Sequence, residues 1–196
     1  MINVQRMQNV CLLFSGGVDS LCCAHFLLSQ GFQVSALHIN YGQLAFECES
    51  HASRELCNVL EIDLNEVSLL SNNSFGSGEI SSRNLFLLSA AMICKDPDSS
   101  VVAIGIHDGT EYYDCSKNFF GDIRKIINEM TDSKIELLAP FLDWQKPDIY
   151  RYALDNNLPL GLTYSCESGE QISCGECLSC QDRQILSDLQ KNGYLT

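Results

Sequence analysis

Short apolar runs alternate with longer amphipathic stretches along most of this chain. A short apolar run bounded by turn residues predicts a strand, whereas apolar residues that recur every three or four positions predict a helix. Strands are predicted at residues 10–14, 33–39, 62–69, 101–106 and 135–139. Helices are predicted at residues 21–28, 46–60, 83–94, 121–130 and 146–156. This alternation predicts an α/β fold with a doubly wound parallel sheet.

Two connecting stretches do not follow this periodicity. Residues 70–82 are rich in serine, asparagine and glycine, which predicts a loop and a candidate lid. Residues 107–120 are polar and aromatic, and they follow a predicted strand in which Gly105 indicates close approach of another backbone. Ligands of parallel sheets bind beyond the carboxyl ends of the strands, so function is expected in the loops that follow strands.

The length of the chain suits one domain with a small appendage. We predict an α/β domain over residues 1–160 and a C-terminal segment over residues 161–196, which contains a cysteine cluster and a final helix. No internal repeat or low-complexity linker divides the chain.

A glycine turn joins the first predicted strand to the first helix. Gly16 and Gly17 remove the side chains that would keep a phosphate from the backbone, and the free N–H groups at the helix start attract anions. Ser15 and Ser20 add hydroxyl donors, and Asp19 suits a metal-bound phosphate or a first-turn N–H. No Gly-Lys-Ser/Thr closes the turn, so it is not a Walker loop.

The sequence Ser-Gly-Gly-Val-Asp-Ser at residues 15–20 resembles the pyrophosphate loop of the N-type ATP pyrophosphatases. The resemblance implies that ATP with Mg²⁺ binds here and that its α-phosphate is attacked while the loop holds the other two phosphates. It also implies an adenine nucleotide alpha hydrolase-like fold. The competing interpretation is a glycine-rich turn without a ligand. The implied ATP-binding residues are Phe14, Ser15, Gly16, Gly17, Val18, Asp19 and Ser20.

The formal net charge of −13 argues against a broad nucleic-acid-binding face, which needs clustered lysine and arginine. A small-molecule substrate or a protein partner fits better. No apolar stretch is long enough to span a membrane, and the polar residues 1–9 contain no signal-peptide core. We therefore expect a cytoplasmic protein.

The eleven cysteines fall into two groups. Seven are scattered, mostly in apolar surroundings, and are expected to be buried thiols in a reducing compartment. The other four, Cys166, Cys174, Cys177 and Cys180, form the pattern C-x₇-C-x₂-C-x₂-C. Four thiolates at this spacing predict a closed structural zinc site, with Gly175 permitting the tight turn. An iron–sulfur cluster, a redox pair and unliganded thiols are the alternatives.

The loop and the cysteine pattern together resemble the 7-cyano-7-deazaguanine synthase family of queuosine precursor biosynthesis. Further pieces in the same order carry the resemblance over nearly the whole chain: Tyr41-Gly42-Gln43, Arg83-Asn84, Asp114-Cys115, Ala139-Pro140 with Lys146, and Thr163 to Cys166.

The resemblance implies an ATP-dependent C–N ligase that acts on 7-carboxy-7-deazaguanine. ATP would adenylylate the carboxylate, ammonia would displace AMP to form an amide, and a second adenylylation would allow the nitrile to form. A homodimer is also implied. A carboxylate is a poor electrophile, and AMP is a far better leaving group than oxide.

The resemblance assigns roles to individual residues. The implied catalytic residues are Asp19, Ser20, Lys146 and Arg83. The implied substrate-binding residues are Tyr41, Gln43, Arg83, Asn84 and Asp114. Each role has a plainer interpretation. Lys146 would be a solvated lysine, Arg83 a helix-cap arginine and Asp114 a loop-capping aspartate. Tyr41 and Gln43 would serve ordinary loop packing. His38 and His107 also follow or end strands, but a lone histidine is more often structural, so both are left out of this set.

Four positions depart from the family pattern. Leu44 and Ala45 replace Arg-His, Ser116 replaces an arginine, and Glu167 replaces an aromatic residue. These departures lie near the implied substrate side, so ATP use is better supported than nitrile synthesis. One alternative is a divergent paralogue, as in phage defence, that joins the deazaguanine acid to an amine of a protein or nucleotide. A tRNA-modifying sulfurtransferase and a non-catalytic nucleotide sensor are further alternatives.

Overall fold

The computed structural model describes residues 8–69, 75, 78, 80–108, 112–191 and 193. Within these residues five strands form one parallel sheet in the order β3-β2-β1-β4-β5. The strands are β1 Asn9–Leu13, β2 Gln33–Asn40, β3 Asp63–Ser68, β4 Val101–Ala103 and β5 Glu136–Leu138. The order reverses direction at β1, with β2 on one side and β4 on the other, so the predicted doubly wound α/β fold is confirmed.

Six α-helices connect or follow these strands in the described part of the chain. They are α1 Val18–Ser29, α2 Phe46–Leu60, α3 Arg83–Cys94, α4 Lys117–Met130, α5 Lys146–Asp155 and α6 Leu178–Lys191. Two short 3₁₀ turns lie at Tyr113–Cys115 and Leu160–Leu162.

The two faces of the sheet are covered by different helices because side chains alternate along each strand. Val10 and Leu12 of β1 pack with apolar residues of α1, α2, α5 and α6. Cys11 and Leu13 of the same strand pack with α3 and α4. All four are buried, so β1 lies at the centre of the core and places the loop that follows it at the middle of the sheet edge.

Three predicted boundaries are wrong in an informative way. Helix α1 starts at Val18 rather than residue 21, because Gly17 serves as its N-cap. Strand β4 ends at Ala103 rather than residue 106, where its partner β5 also ends, so Gly105 lies beyond the strand. Helix α4 starts at Lys117 rather than residue 121, because the hydroxyl of Ser116 accepts a hydrogen bond from the N–H of Phe119.

The C-terminal helix α6 packs on the α/β core. Leu186 belongs to the same apolar cluster as Val10, and Arg183 donates hydrogen bonds to the carbonyls of Thr163 and Leu160 at 3.1 and 2.8 Å. The boundary at residue 160 stays a prediction.

Parts of two predicted loops lie outside the described residues, namely 70–74, 76, 77 and 79 of the first and 109–111 of the second. The lid assigned to residues 70–82 therefore stays a prediction. Among the helices that the structure describes, none combines the length and the hydrophobicity required to cross a bilayer.

Candidate functional site

The turn between β1 and α1 presents a helix start without a side-chain cap. Gly17 is the N-cap of α1 and makes no side-chain capping hydrogen bond. The backbone N–H groups of the first turn carry partial positive charge that suits an anion. Phe14 and Val18 are buried, so these two residues offer a ligand their backbone rather than their side chains.

Gly16 cannot be replaced by a larger residue without rearrangement. Its φ is +74°, and a Cβ there would lie 2.9 Å from Ala52, from the Glu49 carbonyl and from the Ser53 nitrogen of α2. The glycine therefore lets α2 pack directly against the turn.

The two serines of the turn hold its backbone. The hydroxyl of Ser15, which is exposed, accepts from the N–H of Gly17 at 3.4 Å. The hydroxyl of Ser20, which is buried, donates to the carbonyl of Gly17 at 2.9 Å.

Asp19 and Lys146 form an ion pair across the turn. The Nζ of Lys146, the first residue of α5, lies 2.7 Å from both carboxylate oxygens of Asp19 in the first turn of α1. The Asp19 side chain is 30% exposed and that of Lys146 is 25% exposed, so water screens the attraction between the two charges only in part. The lysine is therefore neither a solvated surface residue nor remote from the glycine turn.

His107 faces the same carboxylate from the loop after β4. Its Nε2 lies 3.9 Å from the Oδ2 of Asp19, and its side chain is 10% exposed. Although Gly105 lies outside the strand, the predicted close approach is present, because a Cβ there would lie 3.2 Å from the carbonyl oxygen of Asp19.

A second group of predicted residues surrounds the start of α3. The pKa of the Tyr41 hydroxyl is raised, because the effect of burial outweighs the opposing charge and side-chain hydrogen bond of Arg83. The Tyr41 ring also makes edge contacts with Phe75 and Phe86. Tyr41 and Arg83, which lie far apart in the sequence, are thus brought together.

Asp114 acts as a cap for α3. Its carboxylate accepts from the backbone N–H of Asn84 at 2.9 Å, and the Asn84 side chain donates to the Asp114 carbonyl at 3.1 Å. Asn84 itself is buried. This contact matches the plainer interpretation of Asp114, and the carboxylate retains further lone pairs.

The side chain of Gln43 forms hydrogen bonds within and next to its own loop. Its Oε1 accepts from the N–H of Tyr41 at 2.9 Å, and its Nε2 donates to the Ile39 carbonyl and to Glu49 at 3.1 and 3.0 Å. The side-chain amide therefore shapes the loop after β2, which lies at the same sheet edge as the glycine turn.

The four C-terminal cysteines converge on one point. The Sγ atoms of Cys166, Cys174, Cys177 and Cys180 all lie within 4.8 Å of one another. A tetrahedral Zn²⁺ with Zn–S bonds of about 2.3 Å requires sulfur atoms about 3.8 Å apart, and Cys174 and Cys180 are 4.0 Å apart. The thiol set and its spacing therefore fit a closed tetrahedral metal site.

Backbone N–H groups already support these sulfurs. Burial raises the pKa of the Cys166 thiol, but hydrogen bonds from the N–H of Cys174 and from Ser168 lower it to about 6. The N–H groups of Glu176 and Cys177 both lie 3.4 Å from the Sγ of Cys174. Gly175 has a φ of +76°, which suits the predicted tight turn.

The cysteine segment contacts the glycine turn. The N–H of Tyr164 donates to the carbonyl of Gly16 at 3.0 Å. The Sγ of Cys48, on α2, donates to the carbonyl of Gly169 at 3.4 Å. The cysteine segment therefore packs against the glycine turn and helix α2.

Sequence reasoning missed the role of His107 in this arrangement. The available signal was its position just beyond the carboxyl end of β4, where parallel sheets bind ligands. The pairing of Asp19 with Lys146 had no local signal, because the two residues lie on helices from opposite ends of the chain.

Comparison with known proteins identifies the relatives of this chain. A family model described as "Queuosine biosynthesis protein QueC" matches residues 9–81 and 70–186. The chain is 31% identical to the 7-cyano-7-deazaguanine synthase of Aliarcobacter butzleri, with 93% of this chain and 92% of the relative covered.

Two solved structures share the fold at low sequence identity. NMN synthetase from Francisella tularensis gives a TM-score of 0.53 at 14% identity, with 97% of this chain and 84% of that chain covered. The U34-tRNA thiolase NcsA of Methanococcus maripaludis, solved with its [4Fe-4S] cluster, gives 0.52 at 17% identity, with 94% and 67% covered. At such identities these likenesses concern the fold alone.

Proposed function

The chain belongs to the family of the queuosine biosynthesis protein QueC, and we propose that it converts 7-carboxy-7-deazaguanine and ammonia to 7-cyano-7-deazaguanine with ATP. The observation that carries the proposal is the Asp19–Lys146 pair at an uncapped helix start behind a glycine turn. An anion-binding backbone, a carboxylate and an ammonium group meet there, which is the set that a magnesium-bound triphosphate requires.

The residues of the turn bind the triphosphate. The N–H groups at the start of α1 and the hydroxyls of Ser15 and Ser20 donate to phosphate oxygens, and Asp19 holds Mg²⁺. Lys146 neutralises the charge that develops as AMP is transferred to the carboxylate of the substrate. Ammonia then attacks the acyl carbon, AMP leaves with the electron pair of the broken C–O bond, and a proton is released. A second ATP then adenylylates the amide oxygen with release of pyrophosphate. Cleavage of the C–O bond lets AMP leave with that oxygen, and loss of the two amide protons gives the nitrile.

The residues near the start of α3 bind the deazaguanine. Arg83 pairs with the acid, because a guanidinium suits a planar carboxylate. Tyr41 lines the pocket, Asn84 and Asp114 hold the start of α3, and Asp114 accepts N–H groups of the guanine-like edge. Gln43 shapes the loop that positions Tyr41.

Zn²⁺ bound by the four cysteines supplies a structural cross-link with no open coordination position. The all-thiol set fits zinc, and the segment it closes contacts the glycine turn through Tyr164. The cytoplasm, predicted from the sequence, keeps such thiols reduced and supplies ATP.

Two departures from the family pattern are helix caps here. Ser116 caps α4, and the Glu167 carboxylate accepts from the hydroxyl and N–H of Ser179 in the first turn of α6 at 2.9 and 3.4 Å. Since these residues have structural roles and the relatives are synthases, amide transfer to another amine is not favoured.

Product analysis tests the proposal. The purified protein is incubated with 7-carboxy-7-deazaguanine, ATP, Mg²⁺ and ammonium. The products are then separated and identified by mass spectrometry. We expect the nitrile, with AMP and pyrophosphate, and no nitrile when ammonium is omitted. An amide as the final product would instead support the paralogue, and absence of AMP would refute adenylylation altogether.

We further propose that the protein is a homodimer that uses the outer face of α3 and α4. Ile93 and Met130, at the ends of these helices, are 86% and 80% exposed, and Leu85 and Ile126 on the same helices are exposed too. Both helices cover the same face of the sheet, and exposed apolar side chains favour association. Sedimentation of an Ile93→Glu, Met130→Glu double variant should yield a monomer, and an unchanged dimer would exclude this face.

A further inference from the structure

The loop that joins β2 to α2 touches the backbone of the cysteine segment. Gly169, between Cys166 and Cys174 in the sequence, has a φ of +77°. A Cβ on this residue would lie 2.7 Å from the carbonyl carbon of Leu44, would collide with its oxygen, and would lie 3.2 Å from the nitrogen of Ala45. Only glycine therefore allows the two backbones to approach this closely.

Hydrogen bonds hold Gly169 in this contact from two sides. The Sγ of Cys48, in the first turn of α2, donates to its carbonyl at 3.4 Å. The hydroxyl of Tyr164 donates to the carbonyl of the next residue, Glu170, at 2.7 Å. The turn that contains Gly169 is thus fixed both to α2 and to the start of its own segment.

The contact lies next to two proposed substrate-binding residues. Leu44 directly follows Gln43, whose Oε1 accepts a hydrogen bond from the N–H of Tyr41 at 2.9 Å. The carbonyl of Gln43 also accepts from the N–H of Phe46 at 3.2 Å. Displacement of the Leu44 carbonyl would therefore disturb both bonds and move the Tyr41 ring.

The helix that follows the loop is anchored independently of this contact. The hydroxyl of Ser50 and the Nε of Arg54 donate to the carboxylate of Glu66 on β3 at 2.6 and 2.8 Å. The glycine turn packs at Gly16 against this anchored helix rather than against the loop. A displacement at Leu44 should therefore move the loop and leave the nucleotide side in place.

We propose that Gly169 is a positioning residue for the deazaguanine. By lying against Leu44 it fixes the loop of residues 41–45, and this loop holds the Tyr41 ring that lines the proposed substrate pocket. The cysteine segment then supports the two sides of the site through separate contacts, the nucleotide side through Tyr164 and the substrate side through Gly169. The proposal rests on the proposed function, because that function places the substrate beside Tyr41.

Two glycine substitutions separate the contact from the backbone conformation. Gly31, between α1 and β2, has a φ of +84°, and no atom outside the adjacent residues lies within 4 Å of the position that its Cβ would take. Gly169→Ala and Gly31→Ala therefore both place alanine at a positive φ, but only the first adds a clash.

Calorimetry on the two variants measures the expected difference. We expect Gly169→Ala to weaken binding of 7-carboxy-7-deazaguanine about 10-fold and binding of ATP with Mg²⁺ less than about twofold. Gly31→Ala should change neither affinity by more than about twofold.

A second pair of substitutions tests the contact without adding atoms. Cys48→Ala removes the hydrogen bond to the Gly169 carbonyl, and Cys94→Ala removes a similarly half-buried thiol at the end of α3. We expect the affinity for the deazaguanine acid to fall about threefold in the first variant and to stay unchanged in the second. If Gly169→Ala does not yield folded protein, this pair provides the comparison, and equal affinities in the two variants would overturn the inference.

Two further results would overturn the inference. Equal losses of affinity for the acid and for ATP in Gly169→Ala would show that the glycine supports the whole site. Unchanged affinity for the acid in Gly169→Ala would show that the loop does not depend on this contact. If the unsubstituted protein itself fails to bind the acid, the proposed function is wrong and the inference fails with it, whereas a loss confined to the variants leaves the proposed function intact.

Discussion

The ammonium group of Lys146 makes the most important side-chain contact of the candidate site, an ion pair with Asp19. It joins α5 to the first turn of α1, and it is the cation nearest to the carboxylate of Asp19 among the described residues. Its removal should therefore affect both the charge on the phosphates and the orientation of Asp19.

Lys146→Met should lower the rate of ATP–pyrophosphate exchange by about 100-fold, because a positioned charge at the reacting phosphate is lost. The exchange assay isolates adenylylation from the later steps. The matched control is Lys125→Met, since Lys125 pairs with Asp122 on the exposed surface of α4 and should leave the rate unchanged. Equal losses in both variants would contradict a specific role for Lys146.

The buried thiols should be chemically inert at neutral pH. Burial raises the pKa of Cys11 to about 11 and those of Cys22 and Cys57 to about 12, so these groups remain protonated and weakly nucleophilic. Iodoacetamide at about pH 8, near the ordinary thiol pKa, should leave all three unmodified in the native protein. Mass spectrometry of peptides from native and urea-unfolded samples measures this, and native labelling of Cys22 would contradict it.

Individual site residues were predictable where a motif is local. The turn at residues 15–20 and the cysteine pattern combine neighbouring residues whose chemistry depends on short spacing. The partner of Asp19 was not predictable, because Lys146 reaches it only after the sheet has brought α1 and α5 together. His107 was set aside because its proximity to Asp19 depends on the path of the loop around Gly105.

At the scale of elements, the cysteine segment and the glycine turn form one unit. Tyr164 donates its N–H to Gly16, and its hydroxyl donates to the carbonyl of Glu170 at 2.7 Å. Burial, and then the charges of Cys48 and Cys166, raise the pKa of this hydroxyl, so it remains a donor. The four-cysteine cluster is thereby linked to the glycine turn through backbone contacts.

Loss of the proposed zinc should weaken ATP binding as well as stability. Cys177→Ser removes one ligand, and we expect the melting temperature to fall by about 5 °C or more and the affinity for ATP to fall with it. Scanning fluorimetry with and without ATP measures both effects. Cys94→Ser, outside the cysteine cluster, should be neutral. A variant with lower stability but unchanged ATP affinity would show that the two sites are independent.

Helices α2 and α3 match their predicted bounds at residues 46–60 and 83–94, because their periodicity is complete. The misplaced start of α4 has a specific cause: residues 117–120 were included in a polar loop, although Ser116 supplies a cap that continues the helix through them. Strand β4 is shorter than its apolar run because a strand extends only as far as its partner pairs with it. The partner strand β5 ends opposite Ala103, and the sequence of β4 alone does not reveal this.

At the scale of the whole molecule, alternating strands and helices were enough to predict the doubly wound sheet. The net charge of −13 then argues against a broad surface for binding tRNA. Affinity for nucleic acid depends on cations that displace counterions from phosphates, and 25 acidic residues oppose 12 basic ones here.

We therefore expect no measurable binding of tRNA at physiological salt. An electrophoretic mobility-shift assay with unmodified tRNA tests this, with a basic RNA-binding protein as the positive control. Salt-sensitive binding would revive the tRNA-modifying alternative and indicate a local basic surface that the overall charge conceals.

The bond from Tyr164 to Gly16 also orders events during synthesis. A ribosome releases residue 16 long before residue 164, so the nascent glycine turn lacks its backbone partner while the residues of all five strands are synthesised. The enzyme becomes competent only near the end of translation. A chain truncated before residue 164 would then contain all five strands of the sheet but lack this support for the glycine turn.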